Sequence, residues 1–163
     1  MPPTTSGGYS HDNIKIRTNN DRSGATGVRS DSVDTVGDGI PDWWRAQYFG
    51  GSGTNTNASS CAACDLTGTG VNNLFKYVAD LNPTNPASRL AIISIATITN
   101  DVNLLWIGGS NVWQSVERSS NLADTNGWSG IFTNPPPASV TNTLLHTGAG
   151  NATNLFYRIK AWR

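Results

Sequence analysis

At 163 residues the chain can bury one modest core, or a small module beside a second one. Its 11 basic and 11 acidic residues cancel, which removes the electrostatic case for nucleic acid or an anionic membrane as partner. Charged residues are only 13%, about half the usual share, and Ser, Thr and Asn fill the gap; that neutral polar surface suits a secreted or cell-surface protein better than a cytosolic enzyme. No apolar run reaches membrane-spanning length, and the N-terminus lacks the basic-then-apolar pattern of a signal peptide.

Residues 1–31 are polar and rich in Gly, Ser, Thr and Asn, and they read as a flexible arm or linker. Within them only Asn13-Ile14-Lys15-Ile16-Arg17 alternates like a strand. It could pair with a sheet edge of the same chain or be donated to a neighbouring molecule.

Residues 32–87 carry a loop–helix unit used twice. The first is Asp34-Thr35-Val36-Gly37-Asp38-Gly39-Ile40-Pro41-Asp42-Trp43-Trp44, and the second is Asp65-Leu66-Thr67-Gly68-Thr69-Gly70-Val71-Asn72-Asn73-Leu74. The spacing is that of a calcium loop, in which positions one, three, five and nine give side-chain oxygens and position seven a backbone carbonyl. A Gly at position six makes the sharp turn. The candidate ligands are Asp34, Asp38, Ile40 (through its carbonyl) and Asp42 in the first loop, and Asp65, Thr67, Thr69, Val71 and Asn73 in the second.

Both loops depart from the pattern. Position three of the first is Val36, which offers no side-chain oxygen, and position twelve is Arg45 or Lys76 where calcium wants a bidentate Glu. Two readings follow. The first loop holds one structural Ca2+ while the second has lost its ion, or both loops fold without metal on Asx and Gly turns.

A helix is predicted over 41–49, with Pro41 in its first turn and Gly50-Gly51 as its stop. Its aromatics Trp43, Trp44, Tyr48 and Phe49 read as module core rather than as a sugar platform. Ser52–Ser60 is structureless by composition. Cys61-Ala62-Ala63-Cys64 reads as a local disulfide pinning the entry of the second loop, with two free thiols as the alternative. A second helix is predicted over 71–80, with Leu74, Val78 and Leu81 on one stripe. Asn82-Pro83 ends it, and the two helices are expected to pack around the aromatics.

From 88 to 163 the pattern is that of strands. They are expected at 90–98, 102–107, 112–119, 130–133, 140–146 and 154–163, with Gly108-Gly109-Ser110 as a hairpin turn. Val102, Leu104 and Trp106 share one face, as do Leu155, Tyr157, Ile159 and Ala161. The expected fold is therefore mainly β with a small α part: a calcium-loop helix pair followed by an antiparallel β-sandwich.

The paired blocks resemble the "D-x-D-G-D-G-hydrophobic-P-D-W-W" and "D-x-D-G-D-G-hydrophobic-x-N-L-x-E-Y" units of bacterial surface proteins, which belong with thrombospondin type 3-like and dockerin-like calcium repeats. Ala79-Asp80-Leu81-Asn82-Pro83-Thr84-Asn85-Pro86 is similar to the segment that closes such pairs. Val116-Glu117-Arg118-Ser119-Ser120-Asn121-Leu122 and Phe156-Tyr157-Arg158-Ile159 resemble strands of the immunoglobulin- or fibronectin III-like domains that often follow them. The resemblance implies an extracellular or cell-surface module of a bacterial protein, with a structural, adhesive or assembly role.

No catalytic set stands out. The single Glu, Glu117, has no paired acid in view, and His11 and His146 lie near no nucleophile motif. Gly37-Asp38-Gly39 lacks the ending of a phosphate loop. The reading is a non-enzymatic module whose partner is a protein or glycan at a cell surface, or copies of itself. Two alternatives are a filament subunit that donates Asn13–Arg17, and a carbohydrate-binding module using Trp113, Trp128 or Trp162.

Overall fold

Two short helices precede six strands in a computed structural model that describes residues 33–163. The strand expected at Asn13–Arg17 and His11 lie outside the described residues. Helix α1 spans Asp42–Phe49, and Gly50 closes it by donating its N–H to the Ala46 carbonyl. Helix α2, Asn73–Val78, is shorter than the predicted 71–80. Asn72 caps it by accepting from the Phe75 N–H, and Asp80 stops the chain beyond it with φ at 56°. Of the stripe expected on α2, Leu81 is buried just beyond the helix. Leu74 and Val78 are half-buried, whereas Asn73 and Lys76 are the residues of the helix that are fully buried.

The strands are β1 (Ala91–Ile98), β2 (Asp101–Ile107), β3 (Trp113–Ser119), β4 (Ser129–Asn134), β5 (Thr141–His146) and β6 (Phe156–Trp162). They form two three-stranded antiparallel sheets, in the orders β1-β2-β5 and β4-β3-β6. Period-two alternation places Val102, Leu104 and Trp106 inward on β2. These three and Val116 of the other sheet belong to one apolar cluster, against which Phe132, Leu144, Leu155, Tyr157 and Ile159 pack. Three polar pairs cross between the sheets: Trp106 Nε1 donates to Gln114 Oε1 at 2.6 Å, Asn134 Nδ2 donates to Asn142 Oδ1 at 3.0 Å, and His146 Nδ1 lies 2.8 Å from the Tyr157 hydroxyl.

The hairpin expected at Gly108-Gly109-Ser110 is absent, because β2 and β3 belong to different sheets. The connection crosses from one to the other, and its backbone is held from outside. Asp80 Oδ2 accepts from the Ser110 and Asn111 amides at 3.2 and 2.9 Å. The Gly109 carbonyl accepts from buried Gln114 at 2.6 Å. A Cβ on Gly109 would fall 2.2 Å from the Ala79 carbonyl, so only glycine fits there. On its other oxygen, Asp80 pairs with Arg163 at 3.2 Å, and Arg163 Nε donates to the Tyr77 carbonyl. Asp80 is thus the hinge pin between the loop–helix pair and the sheets, and residues 34–163 make one compact unit.

Candidate functional site

The two loops repeat in structure as they do in sequence. Asp34 Oδ2 accepts from the Gly39 amide at 2.8 Å, and Asp65 Oδ2 accepts from the Gly70 amide at 2.7 Å. In both cases the first loop position binds the sixth. Gly39 and Gly70 carry φ of 86° and 78°, the left-handed turn that the spacing predicts.

In the first loop every carboxylate oxygen of the candidate ligands accepts a protein donor. Asp34 takes the Gly37 and Gly39 amides. Asp38 takes the Ile40 and Ala62 amides and the Arg45 guanidinium. Asp42 takes the amide and the hydroxyl of Thr35. Burial pushes the Asp34 carboxyl up, but the amides of Gly39, Gly37 and Asp38 outweigh it and leave its pKa below the ordinary value. Ile40 is fully buried.

Arg45 occupies the twelfth position and is 1% exposed. Its Nη2 donates to Asp38 Oδ1 at 2.6 Å, its Nη1 to the Gly53 carbonyl at 2.8 Å and its Nε to the Ser60 carbonyl at 3.3 Å. One planar fork thus ties the loop to the turn-rich segment 52–60. Composition reads that segment as structureless; Arg45 explains why its turns are held.

The second loop repeats the device with a lysine. Lys76 is 1% exposed, and its Nζ lies 2.7 Å from both Asp65 Oδ1 and the Thr67 hydroxyl. These are loop positions one and three. The Thr69 hydroxyl also donates to Asp65, at 3.3 Å. The Lys76 ammonium, donating to Asp65, holds its carboxyl well below the usual carboxylate range. Asn73, at position nine, turns its amide nitrogen outward to the Ser59 and Cys61 carbonyls, at 2.8 and 2.9 Å. Its Oδ1 is buried without a protein partner. Val71 is half-buried.

These residues do not fit a calcium ion. Calcium wants six to eight oxygens with several carboxylates among them. In the second loop a single carboxylate and a hydroxyl already face an ammonium, and the orphaned Asn73 Oδ1 is one neutral oxygen that does not offset that repulsion. In the first loop Asp38 is spent on a buried guanidinium. Among the described residues no three His, Cys, Asp or Glu side chains converge as a metal-binding group.

Cys61 and Cys64 form a disulfide, the first of the two sequence readings. Around it the Asn73 amide donates to the Cys64 carbonyl and the Leu74 amide to the Ala62 carbonyl. The bridged turn therefore sits against the start of α2.

The aromatics divide by role. Trp44 is buried and meets Tyr48 and Tyr77 edge-on at 5.0 and 5.9 Å, as core. Trp113 and Trp162 pair across β3 and β6 with rings 6.3 Å apart and 12° from parallel, and they stay 41% and 40% exposed. Trp128 lies under the Arg158 guanidinium at 4.3 Å. Between these aromatics Glu117 holds Arg158 at 2.6 Å and Lys160 at 3.2 Å. A shallow cleft of about 320 Å³ beside Phe49 is lined by Gly50–Gly53 and Asn55–Asn57, with no titratable side chain. Asp80, Arg163 and Gln114 carry structural roles that local sequence patterns do not signal, since each partner lies in another element.

Compared with known proteins, the chain matches no family model, no curated protein and no solved structure.

Proposed function

We propose that this chain is a non-enzymatic structural module of an extracellular or bacterial cell-surface protein, built as a rigid joint between a loop–helix pair and an immunoglobulin- or fibronectin III-like β-sandwich. The strand partition supports the sandwich. Strands one, two and five share one sheet and three, four and six the other, as A, B, E and C, C′, F do in such domains. One apolar cluster drawn from both sheets supports it too.

The observation that carries the structural role is the joint at Asp80. A single carboxylate takes two backbone amides of the intersheet crossing and the Arg163 guanidinium, whose plane also lies 4.5 Å over the Tyr77 ring. Such a constraint fixes the angle between two parts, which is what a spacer or adhesive module needs. The exposed Trp113–Trp162 pair, with the Glu117 ion cluster beside it, is the patch through which a protein or glycan partner would be held. The local disulfide fits an oxidising compartment.

The test is surface proteolysis of intact source cells, with thiol alkylation of the recovered protein. Digestion in intact cells, and Cys61 and Cys64 alkylated only after reduction, is the expected result. Full protection of the protein with both thiols labelled directly overturns the reading.

A further inference from the structure

We propose that Arg45 and Lys76 are built-in cations that take the place of metal in the two loops, so that the module folds without calcium. The argument rests on where the twelfth residue of each loop goes. A calcium loop ends there in a carboxylate that closes on the ion. Both copies here carry a basic residue instead, and both turn it inward to 1% exposure. Each then pairs with a carboxylate of its own loop: Arg45 with Asp38 at position five, Lys76 with Asp65 at position one.

A surface lysine or arginine would keep its charge in water, since burying it uncompensated is costly. Here the charge is compensated by the oxygens a metal would have used. Lys76 Nζ sits 2.7 Å from both Asp65 and Thr67, a point charge among ligand-position oxygens. Arg45 does more, because its fork also gathers the Gly53 and Ser60 carbonyls. A tethered cation needs no free ion, and no chelator removes it. The inference holds wherever the protein works.

Melting followed by Trp fluorescence, in millimolar calcium and in EGTA, tests it with the intact chain. The wild-type melting temperature is expected to agree within a degree between the two conditions. K76M and R45M are each expected to melt about 5–10 °C lower in both, since each leaves a carboxylate facing no cation. A wild-type melt that rises by several degrees with calcium overturns the proposal, as does a K76M or R45M chain that melts with the wild type. If either variant fails to fold, the wild-type comparison still decides.

Discussion

Beside the apolar Ile40, Trp44, Ala79 and Leu81, the loop–helix pair buries a polar set, Arg45, Lys76, Asn73 and Ser60; at the centre of the sheets lie Val102, Leu104, Trp106 and Val116. The polar set is held by directed bonds at fixed angles, the sheet centre by the undirected removal of apolar surface from water. The contrast follows from what each region has to bury. Eight and six residues of helix cannot enclose a large apolar core, so the loops around them are fastened by charge and by a disulfide. Six strands can enclose one. The two regions should therefore fail differently: the sheets when volume is lost, the loops when a donor or its geometry is lost.

The largest effect should come from the sheet core. Trp106 is 1% exposed, meets Phe132 edge-on at 6.1 Å and gives its indole N–H to Gln114. W106A should cost about 3–5 kcal/mol in urea unfolding, through the cavity and the unpaired Gln114 amide. L104M, which keeps volume and polarity, should cost less than about 1.5 kcal/mol. If the two cost the same, shape does not govern this core and the contrast with the loops collapses.

What could be read from the sequence divides along the same line. Alternation of Val102, Leu104 and Trp106 is a local signal, and the pleat turns it directly into an inward face. The Asp–Gly spacing of the loops is local too, and both left-handed glycines stand where it puts them. Sheet membership is not local. Gly108-Gly109-Ser110 carries every mark of a hairpin, yet it crosses between the sheets and is held there by Asp80, some thirty residues upstream. Arg45 and Lys76 are visible in the sequence as departures from a calcium pattern. Their inward turn is not, because a cation on a short helix ordinarily faces solvent, and only the assembled carbonyls and carboxylates reverse that preference.

The joint tests whether the two regions are coupled or merely adjacent. Asp80 accepts from the Ser110 and Asn111 amides and from Arg163, with its side chain mostly shielded. D80A should cost about 1–3 kcal/mol, because two amides and a guanidinium lose their acceptor. D80N should recover part of that loss, since it keeps one acceptor oxygen. Denaturation followed separately by Trp fluorescence and by far-UV circular dichroism should give one transition in the wild type and two separated ones in D80A. A single shared transition in D80A would mean that other contacts couple the regions.

The smallest effect concerns the polar pair at the rim of the sheet core. His146 lies against the Tyr157 hydroxyl, with Arg118 as the nearby charge. Burial pushes the His146 pKa below its ordinary 6.5, and the Arg118 charge pushes the same way. The folded state therefore binds fewer protons than the unfolded chain. Its full contribution is present above the unfolded value and is lost as pH falls through 6.5 toward the folded pKa. Burial also opposes ionisation of Glu117, but the hydrogen bonds and charges of Arg158 and Lys160 prevail and lower its pKa. That contribution is lost in a more acidic window, as pH falls through the folded pKa of Glu117. Between pH 7 and 5 the wild type should thus lose a degree or two of melting temperature that H146Q keeps. The difference between the two melting curves is the measurement, because it cancels every other group that titrates in that range. Parallel curves would mean that protonated His146 is accommodated at no cost, and that this rim is open enough to behave like surface rather than core.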